Sequence, residues 1–333
     1  MRSSANVRIV VLDGYPIDQS QLDWGPVEAS GALTVYPRTR PEEVLDRAAG
    51  AAIVLTNKVA LMAETIERLP ALRYIGVIAT GINVVDVAAC RGRGIAVTNV
   101  PGYCAPSVAQ FVMAMLLHFL EDVPSYVAAV RANAWAAQPD YALFLRPRVE
   151  LAHKTMAIFG MGSIGSKVAD LGRAFGMNVL AAAVPGGTVE GRTPLPHALA
   201  TADVVSLHCP LTERTRKLVN RDFLQAMKPG AVLVNTARGA LVDEGALMEA
   251  LAAKKLGGAL LDVMEEEPPR RDHPLFDAEA PWAARLVVTP HVSWGTVEAR
   301  RRLIQIAAEN LAAFLGGQIS REEARKRMEV RVF

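Results

Sequence analysis

Thr155-Met-Ala-Ile-Phe-Gly-Met-Gly-Ser-Ile-Gly165 is the stretch that decides the fold. A short apolar run, Thr155–Phe159, leads straight into Gly160-Met-Gly162-Ser163-Ile164-Gly165, and a helix-compatible run follows to Ala174. Glycines at this spacing are weak evidence alone, but between a strand and a helix each has a task. Gly160 permits the tight turn, Gly162 lets a diphosphate approach the backbone, and Gly165 lets helix and strand pack closely. A diphosphate placed there meets the unpaired N–H groups around Ser163 and Ile164 and the positive end of the helix dipole. The bland alternative is a glycine-rich turn that binds nothing. The regular series of strands after it argues for the cofactor site.

That series is Asn178–Ala182, Asp203–Ser206, Ala231–Asn235, Gly257–Leu261 and Leu286–Thr289, which with Thr155–Phe159 makes a complete dinucleotide-binding sheet. An earlier series comprises Val7–Leu12, Ala52–Leu55, Tyr74–Ile78 and Ile95–Thr98, with helical stretches near Pro41–Ala48, Ala60–Arg68 and Val84–Arg91. Near-continuous apolar strands alternating with helices predict an α/β chain of two Rossmann-like domains with doubly wound parallel sheets. A long helix is expected over about Ala105–Arg131, followed by a Pro/aromatic-rich arm, Trp135–Pro147. In the last helix, about Thr296–Leu315, residues Leu303, Ile306, Ala307, Leu311 and Phe314 form one apolar stripe. Its return to the first sheet would make that domain discontinuous: 1–104 with 292–333 for substrate, and 105–291 for the dinucleotide, arm 105–147 included.

The 333 residues suit two domains at ~150 residues each. A hydrophobic share of 51% against 21% charged excludes wholesale disorder. Lys+Arg 36 against Asp+Glu 34 leaves a net charge of +2, which argues against a nucleic-acid binder. Arg321–Arg331 mixes both signs and reads as a solvated terminus. Cys90, Cys104 and Cys209 cannot pair evenly and show no metal spacing, so a reducing compartment and a metal-free mechanism are expected. Met1–Asn6 lacks the apolar stretch of a secretion signal, and Val108–Leu120 is too short to span a membrane. The chain reads as soluble and cytoplasmic.

One part of the dinucleotide fingerprint is missing. An Asp or Glu is expected at the end of the second strand to bond the adenosine ribose, and Ala183 stands there. No base follows closely in the chain; the nearest is Arg192. NAD is therefore only slightly favoured, and NADP is permitted.

Three late strands each end in a polar segment: Asn235–Glu244 with Arg238, Leu261–Pro268 with Glu267, and Val287–Gly295 with His291. In doubly wound folds such ends converge on one cleft. Hydride delivered to a carbonyl carbon leaves an oxygen needing a proton, which a histidine can give near neutral pH. A carboxylate orients that ring, and arginine's planar fork holds a substrate carboxylate. A structural ion pair, a loop charge and a strand-end histidine are the dull alternatives. Three such residues after consecutive strands favour the chemistry.

With Ser206-Leu-His-Cys-Pro-Leu-Thr212, Met227-Lys-Pro-Gly230 and Thr289-Pro-His291 added, the chain resembles the D-isomer-specific 2-hydroxyacid dehydrogenase family over about residues 7–317. The resemblance implies that Arg238 binds the substrate carboxylate, His291 is the general acid/base and Glu267 is its partner. It also implies that Asp262 bonds the nicotinamide carboxamide, that Cys209, Pro210 and Thr215 line the adenosine side, and that Thr236 and Ala237 adjoin the cofactor. Leu55–Val59, Ile78–Asp86 and Thr98–Tyr103 are similar to glycerate dehydrogenases (hydroxypyruvate reductases). That subgroup implies hydroxypyruvate or glyoxylate as substrate and a homodimer built on the arm. It often reads Asp-Ser-Val-Ala-Gln where this chain has Pro106-Ser107-Val-Ala-Gln110.

Lys58 and the backbone N–H groups of Ala79, Thr80 and Gly81 follow strands of the first series and are candidates to hold the substrate. Tyr103 touches nicotinamide or packs, Trp135 reaches a partner or anchors its own arm, and His118 is a core or interface residue. His208 reads as structural. Two rival readings are a dinucleotide-sensing scaffold like the corepressors of this fold, and a dehydrogenase of a longer 2-keto acid, a sugar acid or phosphite.

Overall fold

A computed structural model describes residues 7–19, 21–187 and 190–318. The readings of Met1–Asn6 and Arg321–Arg331 fall outside the described residues. The chain forms two compact units: one runs to Cys104 and resumes at Trp294, and the other is Ala105–Ser293.

The first unit holds a parallel sheet of β1 (Arg8–Val11), β2 (Ala32–Val35), β3 (Ile53–Thr56), β4 (Tyr74–Val77) and β5 (Ala96–Thr98), in the order β2-β1-β3-β4-β5. β3 and β4 are buried throughout, as strands covered on both faces must be. β2 corrects the sequence reading, which has four strands here. It is an edge strand of four half-exposed residues paired only to β1, so it lacks the apolar run that marks the others. The helix Val297–Leu315 packs in this unit: Phe314 lies 4.8 Å from Tyr74 by ring centroids. Buried Arg300 donates to the Ile17 carbonyl at 3.1 Å, and Asn310 to that of Asn99 at 3.2 Å.

The second unit holds β6 (Thr155–Phe159), β7 (Asn178–Ala182), β8 (Val204–Leu207), β9 (Val232–Asn235), β10 (Gly258–Leu261) and β11 (Leu286–Val288), all parallel. Their order, β7-β6-β8-β9-β10-β11, reverses direction between β6 and β8, the switch point where such sheets bind ligands.

The expected helix Ala105–Arg131 is two helices, Ala105–Glu121 and Val123–Arg131, bent by 49°. Asp122 takes a left-handed conformation (φ 49°), and Pro124 lacks the N–H that a continuous helix needs. The arm covers the break. Arg146 donates to the Phe119 carbonyl at 2.6 Å and lies 3.7 Å from the Asp122 carboxylate. His118 is exposed here, which corrects the core reading. Among the described residues, no single helix is long and apolar enough to cross a membrane.

Candidate active site

The turn after β6 carries the features of a diphosphate cradle. Gly160 has φ 103°, and a side chain there would strike the His208–Cys209 backbone, 2.5 Å from the Cys209 nitrogen. Gly165 lies so close to the Gly160 carbonyl that a Cβ would sit 2.0 Å from it. Gly162, by contrast, faces open space and caps the helix Ser163–Ala174 without a side-chain bond. The N–H groups of Ser163 and Ile164 therefore have no protein acceptor among the described residues. A second sign lies across the switch point, at the end of β9. The hydroxyl of Thr236 is buried without a hydrogen-bond partner. A buried orphan after β9 and a free helix start after β6, both at strand ends of this one parallel sheet, fit a bound dinucleotide.

The other expected cofactor residues are mostly committed to one another. Thr215, buried, donates to the Pro210 carbonyl and accepts from the Thr212 N–H, both at 2.7 Å, and so closes the loop after β8. Burial pushes the Cys209 thiol up to about 11, making it inert at neutral pH. Ala237 donates its N–H to the Asn235 side chain and accepts from Arg238 through its carbonyl. His208 is structural: its Nε2 lies 2.8 Å from the Ser206 hydroxyl, and burial pushes its pKa down to about 4.

Arg238, Glu267 and His291 follow β9, β10 and β11. Asn235 braces the first of them, donating to the Arg238 carbonyl at 2.9 Å. Gly239 joins that loop to the next. A Cβ there would sit 1.9 Å from the Met264 carbonyl, so only glycine lets the two loops meet. Glu267 accepts the Met264 N–H at 3.1 Å through one oxygen and faces His291 Nδ1 at 2.7 Å with the other. A carboxylate accepts only, so Nδ1 carries a hydrogen and Nε2 is the ring nitrogen that Glu267 leaves available. His291 itself is in the left-handed region (φ 54°), strained backbone for a non-glycine residue.

Asp262 holds that strained turn. It is fully buried, accepts the Thr289 hydroxyl at 2.6 Å and the N–H groups of Val292 and Ser293 at 3.0 and 2.9 Å, and offers its own carbonyl to His291 N–H. Buried Ser107 donates to the Ser293 carbonyl at 2.6 Å, so the helix entry that departs from the subgroup pattern is an anchor of this loop. A further pair was not legible in the sequence. Glu244 accepts the Glu265 N–H at 2.9 Å, and His273 Nε2 lies 3.1 Å from its other oxygen. Because His273 Nδ1 accepts the Leu275 N–H, Nε2 is the donor to Glu244.

The model of the D-isomer specific 2-hydroxyacid dehydrogenase NAD-binding domain matches residues 113–293. A hydroxypyruvate reductase of Blautia hydrogenotrophica is 40% identical over 93% of this chain and 98% of its own length. The chain belongs to the D-isomer-specific 2-hydroxyacid dehydrogenase family. A glycerate dehydrogenase of Methylorubrum extorquens is 38% identical over 84% of the chain and 87% of its own. An NADPH-dependent glyoxylate/hydroxypyruvate reductase of Sinorhizobium meliloti, solved with NADP and malonate, shares 27% identity at a TM-score of 0.76, over 93% and 94% of the two chains. This family member is thus an oxidoreductase with a nicotinamide dinucleotide cofactor and two Rossmann-like domains.

In the first unit, the N–H groups of Ala79, Thr80 and Gly81 have no protein acceptor among the described residues, while the Ala79 and Thr80 carbonyls are taken by Val100 N–H and Asn99. The Lys58 side chain is exposed, and its N–H donates to Asp13 at 2.6 Å. Tyr103 is buried edge-on to Trp294, 6.4 Å between centroids. Trp135 donates to the Tyr141 carbonyl at 3.0 Å within its own arm.

Proposed function

We propose that this dehydrogenase reduces small 2-keto acids, hydroxypyruvate and glyoxylate foremost, to D-2-hydroxy acids. The observation that carries the reading is the His291–Glu267 pair at 2.7 Å on a turn fixed by Asp262. The names of the relatives support the substrate class.

Ser163, Ile164 and the orphaned Thr236 hydroxyl hold the dinucleotide, which when bound supplies the hydride. Arg238 binds the substrate carboxylate with its planar fork and polarises the neighbouring carbonyl. His291 gives its Nε2 proton to the carbonyl oxygen as negative charge builds there. Glu267 keeps the ring in one orientation and stabilises its positive form, so proton transfer needs no reorganisation of the ring. In the first unit, the N–H groups of Ala79–Gly81 are proposed as a second anion-holding element, and Lys58 adds positive charge in the same unit. The sequence leans slightly to NAD through the absence of any base near Ala183 in the chain.

We assign the dimer to the arm. The helix Val123–Arg131 buries none of its residues, and Val123, Val127 and Val130 are exposed at helical spacing. Tyr141 and Phe144 continue the apolar surface at 93% and 74% exposure. A second copy of the chain is the occupant.

The test is oxidation of NADH and NADPH with hydroxypyruvate, glyoxylate, pyruvate and a longer 2-keto acid. Turnover of the first two above the others supports the proposal. Clear dinucleotide binding without turnover of any of them overturns it and points to a sensor or to another substrate.

A further inference from the structure

The end of β7 is where this fold discriminates dinucleotides. Ala183 N–H donates to the Thr193 carbonyl at 2.9 Å, and Thr193 N–H to that of Ala181 at 2.8 Å, so the strand end is pinned on its outer edge. The chain then turns through Val184–Gly187, with Gly186 at φ 77°. No carboxylate stands at the position that bonds a ribose 2′-hydroxyl.

A base does reach this turn, from the opposite side of the switch point. A Cβ on Gly186 would lie 2.6 Å from Arg214 Cδ, 3.0 Å from its Nη1 and 3.5 Å from its Nε. The Arg214 side chain therefore lies across Gly186. Its loop is the one that Thr215 closes through Pro210 and Thr212, so the backbone beneath the side chain is held. Arg214 is exposed and has no hydrogen bond or ion pair among the described residues. An arginine fork without a carboxylate partner, beside a strand end that carries no acid, suits a phosphate dianion and not a neutral hydroxyl.

We propose that Arg214 reads the 2′-phosphate of the adenosine ribose, and that the protein prefers NADPH to NADH. This rests on the dinucleotide lying along the turn after β6. It reverses the slight lean to NAD, because the base that the chain lacks after Ala183 is supplied by the loop after β8.

The test is direct binding, read by quenching of intrinsic fluorescence with NADPH and NADH and by calorimetry with adenosine 2′,5′-bisphosphate and 5′-AMP. For the unaltered protein, NADPH and the bisphosphate should bind at least tenfold more tightly than their counterparts. Arg214→Gln should weaken NADPH and the bisphosphate by roughly 10- to 100-fold, the range of one charge-assisted contact, and NADH by less than threefold. Ala183→Asp, which leaves Arg214 in place, should also weaken NADPH selectively. Equal weakening of both dinucleotides by Arg214→Gln would mean that the guanidinium covers the adenine, and would overturn the proposal. So would equal affinities in the unaltered protein. If neither dinucleotide binds, the reading of the β6 turn itself fails.

Discussion

Asp262 and His291 are bound backbone to backbone, with His291 N–H donating to the Asp262 carbonyl at 2.8 Å while the Asp262 carboxylate takes the next two N–H groups of the turn. The buried charge thus neutralises the donors of a turn that holds a histidine at φ 54°. Asp262→Asn keeps the shape but exchanges one acceptor oxygen for an amide that cannot accept. Hydrogen bonds to a charged group are worth about 1.5–3 kcal/mol, so the variant should lose about that much stability in urea unfolding. kcat should fall at least tenfold while dinucleotide binding persists.

Gly239→Ala should act on both stability and catalysis. The added carbon would overlap the Met264 carbonyl, which is backbone and cannot swing aside. Separating the Arg238 loop from the Glu267 loop should cost about 1–3 kcal/mol, in the range of overpacked cores. kcat/KM should fall more than Tm alone would suggest, because the Arg238 and Glu267 side chains move together.

The pair Glu244–His273 should behave as a positioning element. Glu244→Gln retains an acceptor for Glu265 N–H but loses the charge that His273 faces. The expected result is a loss in kcat of a few-fold with KM for keto acid little changed, and partial rescue of Glu244→Ala by Glu244→Gln. An unchanged kcat in Glu244→Ala would show that the loop needs no such brace.

His208 predicts a pH dependence of stability. Its folded pKa, about 4, lies below the ordinary histidine value of 6.5. The unfolded chain therefore binds the extra proton first, so the contribution is complete above pH 6.5 and is lost as pH falls towards 4. The loss is at most about 3 kcal/mol over that window. Chemical unfolding at stepped pH should show a shallower decline for His208→Gln, which keeps a polar group towards Ser206.

Val127→Glu together with Val130→Glu should give a folded monomer in sedimentation velocity if the arm carries the dimer. Both side chains are exposed, at 42% and 51%, so the fold of one chain tolerates the charges. An unchanged dimer would place the interface elsewhere.

The second sheet was legible to within a residue or two, because its strands carry continuous apolar runs, both the buried central ones and the half-buried edge strands β7 and β11. Arg238, Glu267 and His291 stand out in the sequence as candidates because each follows an apolar strand, and the structure sets Glu267 against His291. The edge strand Ala32–Val35 was not, since half-exposed residues leave no apolar run. The break at Asp122 was hidden by the helix-favouring residues on either side, although Pro124 was its one local sign. Arg214 beside Gly186 and Glu244 beside His273 are contacts across 28 and 29 residues, which no local pattern encodes.

His291 is proposed to supply the proton, and Glu267 to orient the ring. The measurement is kcat for NADPH oxidation with hydroxypyruvate by His291→Asn and Glu267→Gln, beside the NADPH dissociation constant of each by fluorescence. The expected result is a loss of at least 10³-fold for His291→Asn and of 10- to 100-fold for Glu267→Gln, in the range of general acid catalysis, with dissociation constants within threefold of the unaltered protein. Turnover by His291→Asn within tenfold of the unaltered protein would contradict it.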